Sequence, residues 1–93
     1  LIHDIPNILS ELQELYDAAV NLATYNETSL RPISDALADI VYVVIGIAVR
    51  LDIPFDSCFM RVHESNMTKD SRYPEMRFKG PTYQEPNFEG LGI

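Results

Sequence analysis

Apolar side chains recur every three or four positions from residue 5 to residue 25: Ile8, Leu12, Leu15, Ala19 and Leu22, with Leu9, Tyr16, Val20 and Ala23 widening the stripe. That spacing predicts a first helix. Asp4 is placed to cap it, and Pro6 is tolerated in the first turn, where no intrahelical donor is lost. "YNETS" ends the pattern, with Asn26 and its Ser and Thr neighbours. A second helix is predicted over 32–51. Its β-branched run (Ile40, Val41, Val43, Val44, Ile45) also suits a strand, but about twenty residues without a turn signal is too long for one. Gly46 would admit a neighbouring helix, at about 1 kcal/mol of helix propensity. "LDIPFD" is a turn, with Asp52 as a cap and Pro54 opening a third helix over 54–68. That helix is expected to carry Phe55, Cys58, Phe59, Val62 and Met67 inward. Beyond residue 70, Pro74, Gly80, Pro81, Pro86, Gly90 and Gly92 break every period, so 70–93 reads as an irregular tail.

The expected fold is all-α: three main helices and an irregular tail in a single domain spanning 1–93. Ninety-three residues support only a modest core. Three helices do not close a four-helix bundle, so a homodimer or homotetramer is expected to complete it. The abrupt start at Leu1 leaves room for an upstream segment.

Charge narrows the choice of partner. Fourteen acidic against seven basic residues give a formal charge of −7. Such a chain is poorly suited to follow a nucleic-acid polymer or an anionic membrane. The apolar run "IVYVVIGIAV" has ten residues between Asp39 and Arg50. About twenty are needed to cross a bilayer, so the run is expected to be a helix buried on nearly all sides. The lone cysteine, Cys58, excludes an intrachain disulfide and reads as a buried small hydrophobe in a reducing, cytoplasmic protein. No secretory signal is visible.

The acidic residues form a pattern. Glu11 and Glu14 are three positions apart on one helical face, and Asp35 and Asp39 are four apart on the next helix. On solvated faces such pairs are ordinary. On two antiparallel helices with a short connection they would face each other, and an all-oxygen set suits Mg²⁺ or Mn²⁺. Asp17 points further from the stripe. At the end of the third helix "HESNMTKD" gathers polar groups. By position alone, Asn66 is a C-cap, Lys69 a cation satisfying the helix dipole, and Glu64, Ser65 and Thr68 a polar helix end.

Three stretches together carry a resemblance: "SELQEL", "DALADIVYVVIGIAV" and "RVHESNMTK", followed by "FKGPTYQEP". Over 8–88 they resemble the MazG-like, phosphoribosyl-ATP pyrophosphohydrolase-type all-α nucleotide pyrophosphohydrolases, with "SNMTK" and "KGPTY" the most specific segments. The family's Glu-Glu-x-x-Glu motif is matched at Glu11 and Glu14, with Ser10 in place of its first Glu. Its Glu-x-x-Asp motif is matched at Asp39, with Ala36 in place of its Glu and Asp35 the substitute one position earlier. The resemblance implies Mg²⁺-dependent hydrolysis of a nucleoside triphosphate to the monophosphate and pyrophosphate. Glu11, Glu14 and Asp39 would be catalytic, and with Asp35 they would hold the metal. Asn66, Lys69, His63, Lys79 and Tyr83 would be the substrate-binding set. His63 is also readable as structural, Tyr42 as packing, and Lys79 and Tyr83 as groups docking on a partner subunit. Ser10 and Ala36 keep two other readings open: a degenerate nucleotide-binding or assembly module, and a purely structural helical dimer.

Overall fold

A computed structural model describes residues 1–25 and 28–93. Among them are three α-helices, one 3₁₀ turn and no strand, so the chain is all-α as its periodicity predicts. Helix α1 spans Asp4–Thr24, α2 Arg31–Arg50 and α3 Phe55–Asn66. Each lies within one or two residues of its expected bounds. Asn26, expected to end the first helix, lies outside the described residues. The chain divides into two compact units, Leu1–Asp52 and Ile53–Ile93.

In the first unit α1 packs against α2 as an antiparallel hairpin. The seam on α1 is formed by half-buried Ile8, Glu11, Leu15, Ala18 and Leu22, whose alternating steps of three and four keep one face toward the partner helix. Ala36 and Ala48 of α2 are each 4% exposed, and Ala36 lines one cavity wall with Glu14, Asp17 and Ala18 of α1. At the open end Arg50 forms an ion pair with Asp4, which the N-terminal ammonium also approaches at 3.5 Å. Asp4 therefore ties the hairpin ends together instead of capping α1, which has no side-chain cap. The Ser29 hydroxyl accepts the Arg31 amide at 3.2 Å, anchoring the start of α2.

Several expectations of burial are corrected. The outer face of α2 is exposed at Leu37, Val41, Tyr42, Ile45 and Val49, so this helix is not buried on nearly all sides. On α1, Leu9, Leu12 and Tyr16 are likewise exposed. Hydropathy records which side chains favour leaving water, and a hairpin has only one inner face to offer them. No helix among the described residues lies against Gly46: a Cβ there would meet only the Arg50 side chain. Twenty residues long, with an 18-residue stretch of mean hydropathy 1.8, α2 is long and apolar enough to cross a bilayer. Its inner face nevertheless carries Asp39 into a carboxylate cluster, a poor fit to hydrocarbon.

The second unit is ordered differently. Only Ser65 of α3 is buried; Phe59 and Met67 are 60% and 72% exposed, and Cys58 is half-buried, against the inward stripe expected. Pro54 precedes the helix, and Asp52 adopts a left-handed backbone (φ 54°) rather than capping it. The tail is held by hydrogen bonds. The 3₁₀ turn Pro74–Met76 leads into two consecutive left-handed residues, Arg77 and Phe78 (φ 52° and 64°). Each such residue costs about 1–2 kcal/mol. Offsetting this, the Phe78 amide donates to the Tyr73 carbonyl at 2.8 Å and its carbonyl accepts the Asp70 amide at 2.6 Å. Gly80 is buried under the Tyr73 ring, which any Cβ at that position would overlap.

Candidate functional site

Three carboxylates converge inside the hairpin. One oxygen each of Glu11, Glu14 and Asp39 lies within 4.8 Å of the others. The cause is local: Glu11 occupies a seam position between Ile8 and Leu15, Glu14 lies one turn on, and half-buried Asp39 faces them from α2. Packing that brings the apolar neighbours together thus brings the charges together too. Asp35 is not within this group. It is exposed and, with Glu14, Asp17 and Asn21, lines an adjoining open cavity of about 290 Å³.

The electrostatics identify what the cluster lacks. Glu11 Oε2 is buried without a hydrogen-bond partner among the described residues. Burial, then the facing Glu14, then Asp39 and Asp35, push the Glu11 carboxyl above its ordinary value of 4.5. Three anionic oxygens at this separation repel unless a cation or proton intervenes. Carboxylate oxygen alone, with no sulfur or imidazole, is a donor set for a hard divalent ion. The residues present fit such an ion. Glu11, Glu14 and Asp39 would hold it, with Asp35 near enough to add to the field.

The second unit carries the remaining expected groups. Asn66 ends α3, and its carbonyl accepts the Lys69 amide at 3.1 Å. His63 is exposed on the last turn, where its carbonyl accepts the Met67 amide at 3.0 Å. Lys69 is exposed. Lys79 places its ammonium 5.1 Å from the centroid of the half-buried Tyr83 ring, a cation–π contact. The hydrogen bond from Asp70 to Phe78 makes Lys69 and Lys79 chain neighbours of one joined pair. Two cations are thereby kept within the same small unit.

A family model, phosphoribosyl-ATP pyrophosphohydrolase, matches residues 7–66, which contain α2, α3, the carboxylate cluster and most of α1. The chain belongs to this family. Members are nucleotide pyrophosphohydrolases, hydrolases acting on acid anhydrides, and are generally dependent on a divalent metal. No curated protein and no solved structure matches the chain. Of the groups carrying charge or aromatic contact in the second unit, Lys69, Lys79 and Tyr83 lie beyond the stretch that the family model matches.

Sequence reasoning missed two features. The first is that Glu11 sits in the seam; the steps from Ile8 through Glu11, Leu15 and Ala18 to Leu22 carried that signal. The second is that Ser65 and Thr68, read as a polar helix end, reach the tail. Ser65 donates to the Gln84 carbonyl at 2.6 Å, and Thr68 accepts the Gln84 amide at 2.8 Å. No periodicity announces a hydrogen bond to an irregular segment.

Proposed function

We propose that the protein hydrolyses a nucleoside triphosphate, a deoxynucleotide or a modified nucleotide among them, to the monophosphate and pyrophosphate, with Mg²⁺ (or Mn²⁺) held by Glu11, Glu14, Asp39 and Asp35. One observation carries the reading: the buried, partnerless Glu11 oxygen within a three-carboxylate cluster on family-matched residues. A divalent ion there would neutralise the developing charge on phosphate oxygens and make a water acidic enough to attack. The protein's own contribution is to hold the carboxylates at fixed spacing on a rigid hairpin and to let one of them orient that water. Asn66, Lys69, His63, Lys79 and Tyr83 are assigned to the sugar and phosphates. Lys69 and Lys79 suit the phosphates, as point charges.

A homodimer or homotetramer would cover the apolar stripes on α1 and α2, since exposed side chains from Leu37 to Val49 on one helix face are unfavourable in a lone protomer. The overall acidic charge favours a nucleotide carried with its metal over a nucleic-acid polymer or a membrane, and a single free thiol fits a cytoplasmic setting.

Ser10 and buried Ala36 support a second reading, because two carboxylates of the family motifs are absent. In that reading the chain is a binding or assembly module. Pyrophosphate release from a panel of natural and modified (d)NTPs, with and without Mg²⁺, separates the two. The hydrolase reading expects metal-dependent turnover of at least one nucleotide. No turnover of any, together with a nucleotide that raises Tm, sinks it in favour of the module.

A further inference from the structure

Helix α3 presents Arg61 and Ser65 one turn apart, Thr68 follows in the turn after the helix, and all three hold the tail by its backbone. Ser65 is the one buried polar side chain among the described residues, 4% exposed, on a helix that buries no apolar residue. Its hydroxyl donates to the Gln84 carbonyl at 2.6 Å and lies 3.4 Å from the Tyr83 hydroxyl. The Thr68 hydroxyl donates to the Ser65 carbonyl at 2.6 Å and accepts the Gln84 amide at 2.8 Å. Both polar groups of one peptide residue are therefore engaged, which fixes register as a single rung of a β-ladder would. Farther along, the Arg61 guanidinium donates to the carbonyls of Asn87 at 2.7 Å and Glu89 at 3.3 Å, so the tail runs antiparallel to α3.

The other end of the enclosed loop is pinned as well, where the Asp70 amide meets the Phe78 carbonyl. Between the two anchors lie Lys79, Gly80, Pro81, Thr82 and Tyr83. Gly80 is clamped under Tyr73, and the Tyr83 amide returns to the Gly80 carbonyl at 3.0 Å. Lys79 and Tyr83 thus sit in a loop whose backbone is pinned at both ends, with the Tyr83 hydroxyl against Ser65 and the Lys79 ammonium over the Tyr83 ring. A tail needing merely to be covered would use apolar contacts; this one is held by hydroxyls addressed to one residue.

We propose that Ser65 and Thr68 are positioning residues for nucleotide binding: their clasp on Gln84 sets the register of the 79–83 loop and so aims Lys79 and Tyr83 at the phosphates and sugar. The proposal rests on the assignment of Lys79 and Tyr83 to the substrate. Its physical content is preorganisation. A lysine on a free tail would lose the entropy of ordering its loop on each binding event, whereas the clasp removes that cost beforehand.

The test is calorimetric titration with α,β-imido (d)NTP analogues in Mg²⁺, using the tightest-binding analogue as probe. Ser65→Ala and Thr68→Val should each weaken binding about tenfold, while Thr68→Ser, which keeps the hydroxyl, stays within about twofold of wild type. On a Lys79→Met background the same clasp changes should cost clearly less than they do in the wild type, because one of the two groups they aim is gone. Gln84→Pro removes the amide donor without touching α3 and should reproduce Thr68→Val if the helix variants fold poorly. A purely structural role would lower Tm and leave the probe affinity of the folded protein unchanged; that result overturns the proposal. So do clasp losses that stay fully additive with Lys79→Met. Unchanged affinity in the clasp variants, with Lys79→Met weakened, leaves the nucleotide reading standing. If the wild type neither binds any analogue nor hydrolyses any nucleotide, the nucleotide reading fails and the proposal falls with it.

Discussion

The two units hold themselves together by opposite means. Residues 1–52 form a helical hairpin packed through a seam of aliphatic side chains, with eight acidic against two basic residues. Residues 53–93 have six acidic against five basic residues, and their order comes from side chains that grip backbone groups. The contrast separates two tasks. A hairpin with a close seam can force three carboxylates together against their repulsion, because helix packing supplies the restraint. A loop braced by hydroxyls can hold cations and an aromatic ring in place without a core. Net negative charge is thus concentrated in the hairpin, and most of the positive charge lies where hydrogen bonds set the geometry.

The sharpest way to break the comparison is to alter the cluster's charge. Glu14→Gln and Asp39→Asn should each reduce Mg²⁺-dependent pyrophosphate release on the order of 100-fold or more. The hairpin should not lose stability in the process, since each change relieves repulsion. Thermal melts of metal-free protein check the second half; a large drop in Tm would mean the carboxylates hold the fold rather than an ion.

Next come changes that attack each unit by its own means. Ala36→Leu places bulk at a buried position of α2 beside Ala18 of α1 and should cost about 1–3 kcal/mol by denaturant unfolding. Gly80→Ala forces a Cβ into the Tyr73 ring and should cost a similar 1–3 kcal/mol. Hydrogen exchange distinguishes them: Gly80→Ala should raise amide exchange at Phe78, Tyr83 and Gln84 while leaving α1 and α2 protected, and Ala36→Leu should do the reverse. Exchange that rose across both units in either variant would show them to be one cooperative body.

A gentler probe is pH. The Glu11 carboxyl is raised above its ordinary 4.5 by burial first, so the folded state takes up its proton before the unfolded state does. Its contribution is therefore present below 4.5 and lost as pH rises through the folded-state value, making metal-free protein less stable at neutral pH than at mildly acidic pH. Asp4 and Asp70 behave oppositely. The Arg50 and Arg72 guanidiniums beside them hold their carboxyls below 3.8, and the stability they add is lost as pH falls through those depressed values. Urea midpoints followed from about pH 7 to pH 3 should rise and then fall. Added Mg²⁺ should flatten the rise and leave the fall, since it acts on the cluster alone. A rise of equal size with saturating Mg²⁺ would argue against an ion at Glu11.

Much of the hairpin was legible in the residues, because helix bounds follow from periodicity and because Glu11, Glu14 and Asp39 belong to a helical spacing. What covers α2 was not legible: its β-branched run records an avoidance of water, and the same run from Ile40 to Val49 serves a buried helix or one exposed on its outer face equally well. Asp4 and Asp52 looked like caps because capping chemistry is local, yet Asp4 is taken by a residue forty-six positions away. The second unit was the least readable. Ser65, Thr68 and Arg61 look like any polar helix turn until Gln84 and Asn87 are beside them, and nothing in the spacing of an irregular tail foretells where it returns.

The clasp on Gln84 also has a consequence in time. Contacts within the hairpin need only residues up to about 50, and they can form while the remainder of the chain is still being synthesised. The second unit closes only when Gln84 reaches Thr68, sixteen positions back, and its last anchor waits for Glu89 to reach Arg61, twenty-eight positions back. At ribosomal speeds of roughly 5–20 residues per second, the carboxylate hairpin would exist for seconds before the loop bearing Lys79 takes shape. A nascent chain of this protein should be able to gather its acidic cluster before it has any means to position that lysine.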